Sequence, residues 1–352
     1  MAASLTLRDF RSYAELELEL RPGLVLVSGP NGAGKTNLLE SLHVATQGFS
    51  PRTRVDAQLV RFGSEAAWVS VAGERGGVSV RSRVVVRRGG GKQAQLNGIR
   101  LASSERLRAQ LATLVFTPDR LNVVKGGPAV RRAYFDRVLA RLLPAQAALP
   151  AAYAHVLAQR NAALRRVGLG LSSPDVVAPW TARLAGLAGE LTAARRRTLE
   201  LIGPPLAACA AELGLVGVGL RYVAEPPSVG ELEACLGRDI ERAATSRGPH
   251  LDEIAVVAGG RDLRVFGSQG EQRLAVLSLL LAEAGVIADR RGWAPLLLLD
   301  DVLSELDVSR RSALARLLPR SAQTLISATE PNHLPLEPDQ LVRVEPGAAR
   351  AA

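Results

Sequence analysis

The stretch Gly29-Pro30-Asn31-Gly32-Ala33-Gly34-Lys35-Thr36-Asn37 decides the fold. A glycine, four free positions, then glycine, lysine and a hydroxyl residue make the phosphate-binding loop pattern, met here by Gly29, Gly34, Lys35 and Thr36. The residue types follow from the chemistry. Glycines let backbone N–H groups curl around phosphate oxygens, and a helix starting at the loop turns the positive end of its dipole towards the same anion. Lys35 adds a point charge for the β and γ phosphates of ATP, and the Thr36 hydroxyl is a ligand for Mg²⁺. The run from Gly29 to Asn37, with Pro30, Asn31, Gly32 and Ala33 inside it, is therefore the expected nucleotide site.

Both flanks suit the motif. Leu24 to Ser28 reads as a buried strand entering the loop, and Leu38, Leu39, Leu42 and Ala45 leave it at helical spacing. Of the 44 Lys and Arg residues only Lys35, Lys92 and Lys125 are lysine, so the lysine here is a marked choice. A compact ammonium reaches phosphates where a planar guanidinium fits poorly.

A second stretch, Leu296 to Asp307 (LLLLDDVLSELD), supplies the metal side. Four leucines make a strand buried on both faces of a parallel sheet, and ligands bind beyond the carboxyl ends of such strands. Asp300 is assigned to Mg²⁺ through water, and Asp301 to positioning or polarising the attacking water, so Lys35, Asp300 and Asp301 are the expected catalytic set. Two acids merely capping a strand end would look the same without the phosphate loop.

A third stretch, Gly267 to Arg273 (GSQGEQR), reads in two compatible ways. Ser268 followed by Glu271 is a capping box that starts a helix through Leu274, Leu277, Leu280 and Leu281. It also resembles the signature motif of ABC-type ATPases, in which a serine and a helix N-terminus close on the γ-phosphate held by a second subunit. Ser268 and Gly270 then become nucleotide-binding residues, and one loop with one signature per chain implies a two-fold homodimer. Ser304-Glu305-Leu306-Asp307 looks like the dimer-contacting loop of that class.

The resemblance then narrows. LRDFRSYAELELEL, GKTNLLESLHVATQGFSPRT, VFTPDRLNVVKGGPAVRRAYFDRVL, AQRNAAL, SRGPHLDE, FGSQGEQR and LLLLDDVLSELD occur in the order seen in the RecF family, a bacterial recombination-mediator group related to the heads of Rad50 and SMC proteins; they run from about Leu5 to about Thr329. The resemblance implies an α/β fold: an ABC-type P-loop ATPase head with an inserted all-helical arm. It also implies an ATP-dependent DNA-binding mediator with weak, DNA-stimulated ATPase activity, whose homodimer clamps double-stranded or gapped DNA. Such a protein helps load RecA with RecR and RecO, and supports the SOS response. Arg52, in SPRT, is a candidate for contact with ATP, as a similarly placed arginine is in SMC proteins, or else a surface arginine. Departures are Glu271 at the usual glutamine of the signature, GPHLDE for GPHRDD, and Pro118-Asp119-Arg120 for the usual PED. No switch-loop histidine is evident near Ser327 to Thr329, and no Q-loop glutamine can be placed.

Organisation follows the motifs. Residues 1–123 carry strand signals, among them the alternation Leu16 to Leu20, the strand Val84 to Val86 and an Asn97-Gly98 hairpin turn. Residues 124–241 are rich in alanine, leucine and arginine. They predict helices over Arg131 to Leu142, Ala151 to Val167 and Val176 to Leu201, the last broken or ended by Pro204-Pro205. Strand signals return at Ile254 to Val257 and, past a Gly259-Gly260 turn, at Leu263 to Phe266. The expected division is a discontinuous head, 1–123 plus 242–352, with an inserted arm, 124–241, and a frayed tail after Glu345.

Composition bounds the partners. No apolar run reaches the roughly 18 residues of a membrane span. There is no apolar secretion segment, and Cys209 and Cys235 give no disulfide framework, so a cytoplasmic protein is expected. Beyond Mg²⁺ no metal-ligand spacing appears. A net charge of +10 asks for an acidic partner. Arginine clusters at Arg81/Arg83, Arg87/Arg88, Arg131/Arg132, Arg137/Arg141, Arg165/Arg166 and Arg195 to Arg197 suit a DNA backbone, bound without sequence preference, or simply solvate the arm. Two readings from other classes stay open: the ATPase subunit of a membrane transporter, and an SMC-like ATPase partnered with a nuclease.

Overall fold

The computed structural model describes residues 1–117, 121–319, 321–330 and 335–352. The chain divides into two compact units, one of Met1–Arg120, Ala208–Gly214 and Val276–Ala352, the other of Leu121–Ala207 and Leu215–Ala275.

Among the described residues, the first unit holds two sheets and the helix Lys35–Gln47. One sheet runs in the order Ala348–Ala351, Gln340–Glu345, Leu24–Ser28, Thr324–Ala328, Leu296–Leu299, Thr113–Phe116. Its strands are parallel except Ala348–Ala351. All four leucines of Leu296–Leu299 are buried, as an unbroken apolar strand in a covered parallel sheet requires. The carboxyl ends of Leu24–Ser28, Leu296–Leu299 and Thr324–Ala328 therefore meet at one edge, where Gly29 and Asp300 follow directly.

The other sheet is antiparallel: Tyr13–Glu19, Ala2–Phe10, Ala66–Arg75, Val78–Arg87, Lys92–Leu96, Ile99–Arg100. Alternation places Leu16 and Leu18 inward and Glu15, Glu17 and Glu19 outward. Asn97 and Gly98 close a two-residue hairpin with φ of 49° and 80°, the left-handed pair that such turns need. Helix Lys35–Gln47 packs against both sheets, and Leu38, Leu39, Leu42, Val44 and Ala45 join the core that includes Leu5, Leu7, Val25, Val27, Leu298 and Leu325. The tail does not fray. Ala348–Ala351 pairs with Gln340–Glu345 and buries Ala349, so backbone pairing holds a segment whose composition reads as a loose end.

In the second unit, Pro128–Leu142, Leu149–Gly168 and the greater part of Ala178–Glu212 are helical, close to the sequence expectation. Pro204 and Pro205 do not end the last helix, which continues to Glu212. Two prolines remove two backbone donors, but Leu199, Ile202, Leu206 and Ala210 are buried on either side of them, and this packing overrides the local penalty. The unit also carries an unexpected strand, Val218–Tyr222, which pairs with Ile254–Ala258; that strand in turn pairs with Arg261–Asp262. This small sheet places residues 242–275 with the second unit rather than with the phosphate loop. Leu263–Phe266 is a helical turn, not a strand, because the Asp262 side chain accepts the Arg264 N–H at 2.8 Å and caps it.

Several arm arginines are internal, which corrects their reading as a solvent-facing set. Arg131 and Arg195 are 1% and 4% exposed. Arg131 pairs with Glu253 and donates to the carbonyls of Val124 and Gly126. Arg195 forks onto Asp136 at 2.8 and 2.9 Å and reaches the Pro249 carbonyl at 2.7 Å. Arg160, fully buried, holds Asp239 and Thr245 at 2.8 Å and Thr181 at 3.0 Å. Arg160→Leu strands the Asp239 carboxylate without its cation and is expected to cost roughly 3–5 kcal/mol in urea unfolding. A loss below about 1 kcal/mol would mean that the pair contributes little.

Candidate nucleotide and metal site

The phosphate loop has the shape that its residues dictate. Gly34 sits at φ 116° as the helix starts, and a Cβ there would lie 2.9 Å from the Tyr13 hydroxyl oxygen. A Cβ on Gly29 would lie 2.2 Å from the Val344 carbonyl oxygen, so the neighbouring strand also demands glycine. Lys35 is 9% exposed, and its Nζ donates to the Gly29 carbonyl at 2.6 Å and the Pro30 carbonyl at 3.0 Å. Burial lowers its pKa, while Asp301 and Asp300 act to raise it. The ammonium is thus folded back onto its own loop, at the head of a helix whose first N–H groups are open to an anion.

The metal side joins the loop through one carboxylate. Thr36 Oγ1 donates to Asp300 Oδ1 at 3.1 Å, and Ser327 Oγ donates to the same oxygen at 2.8 Å. Asp300 is 5% exposed, and its N–H donates to the Phe116 carbonyl at 2.9 Å, continuing the ladder past Leu299. Burial pushes its pKa up, opposed by the two hydroxyl donors, raised again by Asp301 and lowered by the charge of Arg52. A carboxylate raised by desolvation beside a threonine hydroxyl is a fitting seat for a divalent cation. Mg²⁺ takes few protein ligands and completes its shell with water and phosphate oxygens. Asp301 turns outward at φ 52°, its N–H donating to Ser327 Oγ at 2.8 Å and its carbonyl accepting from Ser304 Oγ at 2.9 Å.

Arg52 lies beside the loop. Its Nη1 donates to Asn37 Oδ1 at 3.2 Å and to Glu40 at 3.3 Å. Three contributors were not read from the sequence. Ser327 fixes both aspartates; Tyr13, fully buried, donates to the Gly34 carbonyl at 3.1 Å; Ser12 accepts from Asn37 Nδ2 at 2.9 Å. Ser327 carries a weak signal, a hydroxyl near the end of the apolar strand Thr324–Ala328, but its partner depends on strand register.

Ser268 and Gly270 belong to the second unit. The capping box forms there, with Glu271 N–H donating to Ser268 Oγ at 3.2 Å and Ser268 N–H donating to the Glu271 carboxylate at 2.7 Å. These bonds hold the Glu271 carboxyl below its ordinary pKa, so it stays ionised. His250 is engaged at both nitrogens, Nδ1 with the Tyr153 hydroxyl at 2.7 Å and Nε2 with the Thr245 carbonyl at 3.0 Å, and burial lowers its pKa. It is a satisfied loop histidine. The Pro118-Asp119-Arg120 departure lies outside the described residues.

A parallel sheet with a phosphate loop and a terminal aspartate at the carboxyl ends of two strands that flank Thr324–Ala328, accompanied by an antiparallel sheet, defines an ABC-type P-loop ATPase head. The family model described as the RecF/RecN/SMC N terminal domain matches residues 1–350. The chain is 36% identical over 355 residues to the DNA replication and repair protein RecF of Heliobacterium modesticaldum, covering 97% of this chain and 95% of that one. It is likewise 36% identical to RecF of Frankia alni over 358 residues, 95% of this chain and 94% of that one. A solved structure of the recombination mediator protein RecF with ATP, from the RecFOR pathway, superposes with a TM-score of 0.87 at 26% identity, covering 100% of this chain and 99% of that one. An SMC head bound to the C-terminal winged-helix domain of ScpA shares the fold at 19% identity and a TM-score of 0.61, covering 100% of this chain and 96% of that one. The chain belongs to the RecF family.

Proposed function

We propose that the chain is a nucleotide-timed DNA clamp of recombinational repair. The observation that carries this is the joint of Thr36, Asp300 and Ser327, which brings a phosphate loop and a metal-binding carboxylate together in a chain of this family. ATP is held by Gly29 to Asn37, with Lys35 on the β and γ phosphates and Arg52 nearby; Thr36 and Asp300 hold Mg²⁺. When bound, Mg²⁺ neutralises charge on the phosphates and orients them. Asp301 positions the attacking water. The signature residues Ser268 and Gly270 of a second copy complete the site, so ATP closes a homodimer and slow, DNA-stimulated hydrolysis opens it. In this role the protein acts with RecR and RecO in loading RecA at gapped or duplex DNA, and so supports the damage response. The RecF structures assigned to the RecFOR pathway support that part of the reading.

DNA contact is assigned to the outer face of the antiparallel sheet. Arg81, Arg83 and Arg87 alternate outward along Val78–Arg87, and Arg83 is opposite Gln95, which is opposite Arg100. Arg83 stacks 4.3 Å over the Trp68 ring. Arg81, Arg87 and Arg100 have no acidic partner among the described residues. Such a face binds phosphates, not bases, and its affinity falls steeply with salt. The Arg81→Gln, Arg87→Gln double variant is expected to weaken DNA binding at least tenfold and to lower the slope of log affinity against log salt by about 2, with nucleotide affinity unchanged. An unaltered slope in fluorescence anisotropy would move the DNA to another face.

A further inference from the structure

The helix that follows the phosphate loop buries one acid, Glu40, at 2% exposure. Its carboxylate accepts from Arg11 Nε and Nη2, both at 2.9 Å, from Ser50 Oγ at 2.5 Å and from Arg52 Nη1 at 3.3 Å. These donors take up about the four lone-pair positions that a carboxylate offers. The two arginines are held differently. Arg11 grips both carboxylate oxygens, and its Nη1 donates to the Gln58 carbonyl at 2.9 Å, so its fork is used up. Arg52 is engaged through Nη1 alone, by Glu40 and by Asn37 Oδ1, and its side chain is 37% exposed. Among the described residues its Nε and Nη2 have no hydrogen-bond partner.

A guanidinium held at Nη1 presents its Nε–Nη2 edge, a fork that matches two oxygens of one phosphate. The direction is constrained as well. Asn37, which accepts from Arg52 Nη1 at 3.2 Å, directly follows Thr36 at the end of the phosphate loop. The phosphate loop and its lysine are the part of such a site that holds the β and γ phosphates, so an open edge beside that loop belongs with that end of the nucleotide. Ser50 also accepts the N–H groups of Arg52 and Thr53, at 3.0 and 3.1 Å, which ties the backbone under Arg52 to the same carboxylate.

We propose that Glu40 is a positioning residue: anchored by Arg11 and Ser50, it orients Arg52 so that its free edge receives the terminal phosphate of a nucleoside triphosphate. The inference rests on the nucleotide reading above. Because Glu40 freezes the arginine before the ligand arrives, rotamer freedom is lost in the free protein and not on binding. A diphosphate lacks the group that Arg52 meets. The device therefore acts on the choice between ATP and ADP rather than on nucleotide affinity at large.

The test is titration calorimetry with Mg²⁺ and either ADP or a non-hydrolysable ATP analogue, on the wild type, Arg52→Gln, Arg52→Lys, Glu40→Gln and the Glu40→Gln, Arg52→Gln double variant. Arg52→Gln is expected to weaken the analogue about tenfold and ADP less than twofold. Arg52→Lys, which keeps the charge and loses the fork, behaves in the same way. Glu40→Gln weakens the analogue several-fold, and the double variant binds it no worse than Arg52→Gln alone. Equal losses for both nucleotides in Glu40→Gln, or additive losses in the double variant, would reduce Glu40 to a structural strut and overturn the proposal. If Glu40→Gln fails to fold, Arg52→Lys decides, because a retained preference for the triphosphate rules out the fork. Failure of the wild type to bind either nucleotide would sink the nucleotide reading itself.

Discussion

Lys35→Arg is expected to leave the fold intact and to weaken nucleotide binding by about 10- to 100-fold, the equivalent of one charge-assisted hydrogen bond. The Lys35 ammonium sits 2.6 and 3.0 Å from two loop carbonyls in a nearly closed space. A guanidinium keeps the charge but needs more room and a planar partner, so it displaces the loop or turns away from the phosphates. The core around helix Lys35–Gln47 rests on Leu38, Leu39 and Leu42, which the change does not touch. Melting temperature should therefore hold while ATP-dependent self-association and DNA affinity fall to the ADP level. Wild-type DNA affinity in the presence of ATP would break the proposed coupling between nucleotide and DNA.

Asp301→Asn separates binding from turnover. Asp301 adopts φ 52°, a left-handed conformation that asparagine also tolerates, and its backbone is fixed by Ser327 and Ser304. The substitution thus removes a charge with little change of shape. Nucleotide affinity and ATP-dependent dimerisation are expected to persist, with kcat down by about 10²- to 10⁴-fold, the order expected when the group that positions and polarises the attacking water loses its charge. The ATP-bound dimer should in consequence be long-lived. Turnover at the wild-type rate would refute the role assigned to Asp301.

The central device was legible because its parts are local. Glycine spacing, a lysine in an arginine-rich chain and a leucine run ending in two aspartates each announce themselves within a dozen residues, and parallel strand logic brings Gly29 and Asp300 to one edge. What the sequence hides is pairing between distant residues. Ser327 reaches Asp300 only through the register of Leu297 with Thr324, and Glu40 meets Arg11 across 29 positions. Charge was the most misleading signal. Arg131 and Arg195 look like solvated charges on an alanine-rich arm, yet each is buried against a carboxylate, as Arg160 also is. The prolines misled for the opposite reason: a strong local rule at Pro204-Pro205 gave way to buried contacts on both sides of the pair. At Leu263–Phe266 a single side-chain cap from Asp262 turned a stretch that reads as a strand into a helical turn.

The nucleotide-timed clamp is tested most directly by the mass of the protein in solution, measured by light scattering without nucleotide, with ADP, and with a slowly hydrolysed ATP analogue plus Mg²⁺, each with and without duplex DNA. The expected species is a monomer without nucleotide and with ADP. With the analogue it is a dimer of twice the 37.3 kDa chain mass, which binds DNA more tightly than the monomer does. A protein that stays monomeric with the analogue and binds DNA equally in all three states would contradict the clamp, and would leave Ser268 and Glu271 as a helix cap alone.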